Sequence, residues 1–124
     1  MVIKDLGKTS SGIQANMAAL LSYLAGWITG LIFFLVEKDN KFVRFHAMQS
    51  IVVFGAFSAL GIVISVFSSL AITIHAYFLL PLIGLVSTLL WLVALVLWIV
   101  LMIKAYQGEK FKLPAAGDIA EKNI

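Results

Sequence analysis

The chain reads as an all-α, polytopic membrane protein with three transmembrane helices. Two observations of composition and one of length predict this. Hydrophobic residues make up 62% of the 124 residues and charged residues 12%, against roughly 45–50% and 25% in soluble domains. A water-soluble fold of this size could not hide so much apolar surface in one core. Charge is also expelled from two long stretches, because residues 9–36 and 45–103 contain no Asp, Glu, Lys or Arg. Those stretches have the lengths that lipid demands, since a helix crosses the hydrocarbon core with about 20 residues.

The first span is predicted over 17–36. Lys4 and Lys8 precede it as in the basic start of a signal peptide. However, the apolar stretch exceeds the ~7–15-residue core of such a signal, and no small-x-small cleavage site follows. It is therefore expected to be a retained helix. The uncharged stretch 45–103 is too long for one span and too short for three with loops. Two spans, over 47–72 and 82–103, fit it, joined through 73–80. Pro81 then sits in the first turn of the third helix, where its missing N–H costs nothing. Period-two alternation is absent, and open strands in lipid would leave backbone groups unpaired.

Asp39 or Asn40 can cap the second helix. Residues 38–46 fit either a short interfacial helix or the first turns of the second helix, and the sequence leaves both open. Gly108 is placed to end the third helix, with Lys104 snorkelling just before it. The tail, 104–124, is polar. Asp118 and Glu121 have the spacing of a capping box, with too little chain after them for a stable helix standing alone.

Three spans put the N-terminus and the second connection on one side, and the first loop and tail on the other. Lys4 and Lys8 fall on the first side. Lys38, Lys41, Arg44, Lys104, Lys110, Lys112 and Lys122 fall on the second. Seven against two predicts a cytoplasmic first loop and C-terminus and an external N-terminus in a plasma membrane. The same distribution argues against nucleic acid as the partner of a chain with net charge +3, because the basic residues flank apolar spans.

Two groups of residues stand out. Ala18, Ser22, Gly26 and Gly30 recur every four residues, and a strip of small side chains lets a second helix approach closely. The bland use of this strip is packing within the chain; the sharper one is a homo-oligomer or partner interface. Gly61, Ser65 and Ser69 make a matching strip on the second helix. The other group is a polar motif at the cytoplasmic rim, Phe45, His46, Gln49 and Ser50. It is expected either to anchor the loop or to offer a pH-sensitive contact. Trp27 and Trp91 lie near mid-span, where each indole N–H wants an acceptor. Glu37 can pair with Lys38 or Lys41 in a solvated interaction worth little.

No enzyme is expected. No charged residue sits mid-membrane, as proton pumps and charge-coupled transporters generally require. With no cysteine and two distant histidines, neither a metal site nor a cofactor site is indicated, and no phosphate-binding glycine motif occurs.

The run Tyr23…Gly26-Trp27-Ile28-Thr29-Gly30, then Phe42-Val43-Arg44-Phe45-His46-Ala47-Met48-Gln49-Ser50, with the tail Ala105-Tyr106-Gln107-Gly108…Lys112-Leu113-Pro114…Gly117-Asp118, resembles a prokaryotic family of small uncharacterised membrane proteins. That family is similar to the chloroplast import component Tic-twenty. The resemblance implies a helical subunit of a membrane assembly related to protein translocation, in a bacterial or archaeal plasma membrane. It supplies no catalytic or binding residues. The alternative is an oligomeric small-solute transporter or channel, with Ser58, Ser65, Ser69, Ser87 and Thr88 along its path.

Overall fold

The computed structural model describes residues 6–124. The described residues are helical and contain no strand. Five α-helices follow in order: α1 (Ala15–Leu24), α2 (Trp27–Val36), α3 (Lys41–Thr73), α4 (Leu80–Tyr106) and α5 (Ala116–Lys122). A 3-10 turn at Tyr77–Leu79 leads into α4. α3 and α4 are long and apolar enough to cross a membrane, whereas α1 and α2 are apolar but only ten residues each.

The stretch expected as a first span, 17–36, is thus not one helix. It breaks at Ala25–Gly26, where Gly26 takes φ 63° and ψ −134°, backbone angles that a side chain opposes and glycine tolerates. The two arms double back. Phe33, late in α2, packs against the cluster formed by Ala15 and Ala18, early in α1, with Val43 of α3. Ser10, just before α1, hydrogen-bonds Glu37, just after α2. At 1.5 Å per residue each arm is about 15 Å long, half of the ~30 Å hydrocarbon core.

Both arms pack against the same half of the long helices. α2 runs antiparallel to α3, with Arg44 reaching the carbonyls of Phe34 and Glu37. A Cβ on Gly30 would lie 2.9 Å from the Ala47 carbonyl oxygen. At the tip, the Trp27 indole N–H donates to Ser58 at 3.1 Å. α1 lies along the end of α4. Its Asn16 amide donates to the Tyr106 carbonyl at 3.1 Å, and the Trp98 indole N–H donates to the Tyr23 carbonyl at 2.7 Å.

The core occupies this half of the molecule and is built from Ala19, Tyr23, Val53, Phe54, Leu101 and Ala105. Well past Ser58 on α3, and well before Trp98 on α4, the two helices pack on each other and on the short connection that joins them. Val63, Phe67, Leu85 and Leu92 are exposed there, as side chains facing lipid would be.

The molecule therefore has two unlike ends. One gathers Leu6–Ser10, Glu37–Asn40 and the tail, because the Asn40 amide donates to the Leu6 and Lys8 carbonyls and Lys41 Nζ donates to the Ile124 carbonyl. The other is the short connection between α3 and α4. The N-terminal segment thus lies with the first loop, against the separation that three through-spans require. Lys4 lies outside the described residues. The other basic residues, Lys8, Lys38, Lys41, Arg44, Lys104, Lys110, Lys112 and Lys122, all belong to the first end.

Local signals explain the helix limits. Asn40 Oδ1 accepts from the Val43 N–H at 3.1 Å, which caps α3 in the expected way. α3 runs unbroken from Lys41, so 38–46 holds no separate interfacial helix. Pro81 sits in the first turn of α4. Gly108, at φ 79°, closes α4, with its N–H on the Ala105 carbonyl and the Glu109 N–H on the Lys104 carbonyl. α5 is different. Asp118 is its third residue, not its cap, and Ala115 before it has no capping side chain. The expected capping box does not form. Asp118 and Glu121 both pair with Lys112 instead, and the seven-residue helix is held by docking on α3.

Candidate functional site

The polar motif of α3 lies buried where the tail crosses the open end of the bundle. Phe45, His46, Gln49 and Ser50 all expose no surface. The backbone carbonyl of Glu109 lies 2.9 Å from His46 Nε2. A carbonyl only accepts, so Nε2 carries the ring proton and Nδ1 is left to accept. It accepts from the Tyr23 hydroxyl, 2.7 Å away. The Tyr23 oxygen in turn accepts from Gln49 Nε2 at 3.0 Å. The second hydrogen of that amide goes to the Phe111 carbonyl at 2.9 Å, and Gln49 Oε1 accepts the Leu113 N–H at 3.0 Å.

The chain of donors and acceptors closes. Among the described residues no buried side-chain nitrogen or oxygen lacks a partner. Gln49 pairs with Phe111 and Leu113 as a neighbouring strand would, through one donor and one acceptor of an amide. Its side chain thereby pins the tail in extended form ahead of α5. Gly117 makes room for this. A Cβ there would stand 2.7 Å from Lys112 Cβ and 3.1 Å from Gln49 Oε1. Phe45 supports the same crossing from below, with Lys110 Nζ 5.0 Å from its ring centre.

The small-residue strip serves the hairpin. The break at Ala25–Gly26 divides it, so Ala18 and Ser22 lie on α1 while Gly26 and Gly30 lie at the tip and on α2. Ala18 and Ser22 expose no surface, and Gly30 lies against Ala47 and Ser50. The strip is used within the chain. Ser50 Oγ donates to the Gly26 carbonyl at 2.8 Å. Thr29 Oγ1 accepts the Ala25 N–H at 3.0 Å and donates to the Ser22 carbonyl at 3.2 Å. With Trp98 on the Tyr23 carbonyl, these bonds satisfy the interrupted backbone at the tip. Buried irregular backbone is tolerated only with such internal partners.

Glu37 latches the open end of the hairpin. It exposes no surface and does not form the solvated lysine pair expected for it. Its carboxylate accepts from the Ser10 N–H at 2.8 and 3.0 Å, the Ser10 hydroxyl at 2.9 Å, and the N–H groups of Asn40 at 3.1 Å and Asp39 at 3.3 Å. Burial pushes this carboxyl up, but those donors together outweigh it and hold it below its ordinary value of 4.5. The latch thus contributes stability that is fully present above pH 4.5 and lost as the pH falls through the depressed folded value. In detergent micelles the Tm is expected to fall on acidification below that point. Glu37→Gln is expected to lower the Tm at pH 7 and flatten the acid limb. An acid limb of unchanged depth in the variant would assign it to another group.

Sequence reasoning missed Tyr23, Thr29, Arg44, Trp98 and the backbone of 109–113 as members of this arrangement. Arg44 caps α2 by donating to its last carbonyls and lies 4.1 Å over the Phe34 ring. The available signal was a hydroxyl or indole in an apolar span, each of which needs an acceptor. Trp91 is exposed on the part of α4 beyond the hairpin. Among the described residues no three of His, Cys, Asp and Glu converge as metal ligands would.

Comparison with known proteins places the chain. No solved structure matches it. It is 46% identical over 117 residues to a UPF0132 membrane protein of Methanocaldococcus jannaschii, covering 94% of each chain. It is 44% identical over 112 residues to a UPF0132 membrane protein of Archaeoglobus fulgidus, covering 90% of this chain and 97% of that one. A second Methanocaldococcus jannaschii protein of that name is 45% identical over 111 residues, covering 90% of this chain and 71% of that one. These names carry no translocation or transport role, and they do not extend to the chloroplast import component. Residues 9–120, which include the hairpin, both long helices and most of the clamped tail, match one family along their whole length, and the chain belongs to the magnetosome magnetite crystal formation protein family.

Proposed function

We propose that this protein is a non-enzymatic structural subunit of the cell membrane. In this reading α3 and α4 span the bilayer, and the α1–α2 hairpin enters and leaves from the cytosolic side. One observation carries the reading: Ser10 bonded to Glu37, with Asn40 bonded to Leu6 and Lys8. Chain on either side of the hairpin is joined, so the hairpin begins and ends at one membrane face. The grouping of the described basic residues at that same end supports reading it as the cytosolic face.

A structural role is supported by how the polar groups are used. Tyr23, His46 and Gln49 bond one another and the tail, which leaves no free nucleophile–base pair among them. The hydroxyls of Ser65, Ser69 and Thr88 bond carbonyls of their own helices. They need no water-filled path, which favours assembly over a pore. The outer half of α3 keeps its small-residue face, Gly61, Ser65 and Ser69, open beside the tip of the hairpin, where a second copy can approach closely. The mineral named by the family gains no ligand set from the described residues.

The absence of cysteine allows a clean test. Single cysteines at Lys8, Lys38, Lys122 and Ala76 are treated with a membrane-impermeant maleimide on intact cells. Ala76→Cys is expected to label and the other three are not. Labelling of Lys8→Cys from outside would restore a through-span and overturn the disposition. Mild oxidation of Ser65→Cys is expected to give a disulfide-linked dimer in membranes. A monomer at all oxidant concentrations would remove the assembly role.

A further inference from the structure

We propose that the molecule is a wedge whose wide end lies in the cytosolic leaflet, and that it favours membrane in which that leaflet is convex. This rests on the disposition proposed above. The shape comes from the distribution of helices along the membrane normal. In the cytosolic half four helical segments lie side by side: α1, α2 and the adjoining halves of α3 and α4. In the outer half only α3 and α4 continue. The hairpin stops level with Ser58 on α3, where Trp27 bonds it, and level with Trp98 on α4, where Tyr23 bonds it. Beyond those levels α3 continues to Thr73, and α4 runs back to Leu80.

A helix with its side chains is about 10 Å across, so two extra segments add on the order of 160 Å² to one leaflet and nothing to the other. The tail widens the same end further, because α5 packs on α3 beside the clamp. The asymmetry is rigid. The tip is held by Thr29, Ser50 and Trp98, the open end by Glu37 and Arg44, and Gly30 is in contact with α3, so the hairpin cannot splay without breaking several buried bonds. Its depth is also set. Each arm is too short to cross, and the basic residues flanking it resist being drawn through hydrocarbon. Lipids on the cytosolic side must then spread around four helices while those on the outer side surround two. Bending relieves the mismatch, as it does for amphipathic helices that insert into one leaflet.

The experiment measures how the protein orients in vesicles of two sizes. Lys8→Cys and Lys122→Cys proteins are reconstituted into vesicles about 30 nm and about 400 nm across, of one neutral lipid composition. An impermeant maleimide then reports the fraction with each residue outside. In small vesicles the outer leaflet is the expanded one, so the wide end is expected outside by about threefold or more over inside. In large vesicles the two orientations are expected near parity. Lys8 and Lys122 are expected to give equal outside fractions at both sizes. Equal fractions with no dependence on vesicle size would overturn the wedge while leaving the disposition standing. Complementary fractions for Lys8 and Lys122 would overturn the disposition itself.

Discussion

Replacing Gly26 by valine is expected to destabilise the protein by about 3 kcal/mol and to lower its Tm in detergent micelles by several degrees or more. Two effects add. At φ 63° and ψ −134° the backbone lies where only glycine rests without strain, and a β-branched residue is the least tolerant substitute. A Cβ at this position would also stand 3.3 Å from Phe54 Cβ, a contact that must be relieved by moving the tip away from α3. That movement weakens the Ser50 bond to the Gly26 carbonyl and the Trp27 bond to Ser58. Ala25→Val is the matched control, because Ala25 has negative φ. An unchanged Tm in Gly26→Val would mean that the tip is not held in this conformation. If Lys8 then became reactive from outside the cell, the two arms would have fused into one through-helix.

Gln49→Ala is expected to free the tail. The substitution removes three bonds at once: to the Tyr23 hydroxyl, the Phe111 carbonyl and the Leu113 N–H. Tyr23 still has His46. The two backbone groups, however, would be left in a buried site without partners, at a cost of about 3 kcal/mol together. Detaching the tail lets water satisfy them. About 3 kcal/mol corresponds to a rise of roughly a hundredfold in the detached population. Trypsin cleavage after Lys110 and Lys112 in micelles is expected to accelerate in proportion. The ion pairs of Lys110 and Lys112 with α5 are half-exposed and worth little, so high salt is expected to leave the cleavage rate of the unaltered protein nearly unchanged. If salt alone released the tail and Gln49→Ala did not, charge and not the buried clamp would be holding it.

Much of the architecture is written in short-range signals. The expulsion of charge from 45–103 announced two spans, and α3 and α4 cover them. Asn40, Pro81 and Gly108 mark helix limits because caps and positive-φ residues act within one turn. The small-residue strip was legible as a close-packing surface, and Gly30 lies against Ala47 and Ser50 of α3. Phe45, His46, Gln49 and Ser50 were legible as a group, since a polar cluster at the start of an apolar helix needs an explanation. Their partners were not. His46 and Gln49 bond a tail that lies some sixty residues away in the chain, and nothing in local spacing reports that distance.

The first span shows where the two kinds of information part. Residues 17–36 have the length and hydropathy of a crossing, and a glycine inside such a helix is ordinary in membranes. By itself the sequence determined that this stretch is apolar and helical on both sides of Gly26, because those properties depend on the composition of each segment. Whether it goes through or turns back was decided by tertiary structure. The turn at Gly26 is stable only because Thr29, Ser50 and Trp98, drawn from three different helices, satisfy the backbone that it interrupts, and because Glu37 closes the open end on Ser10.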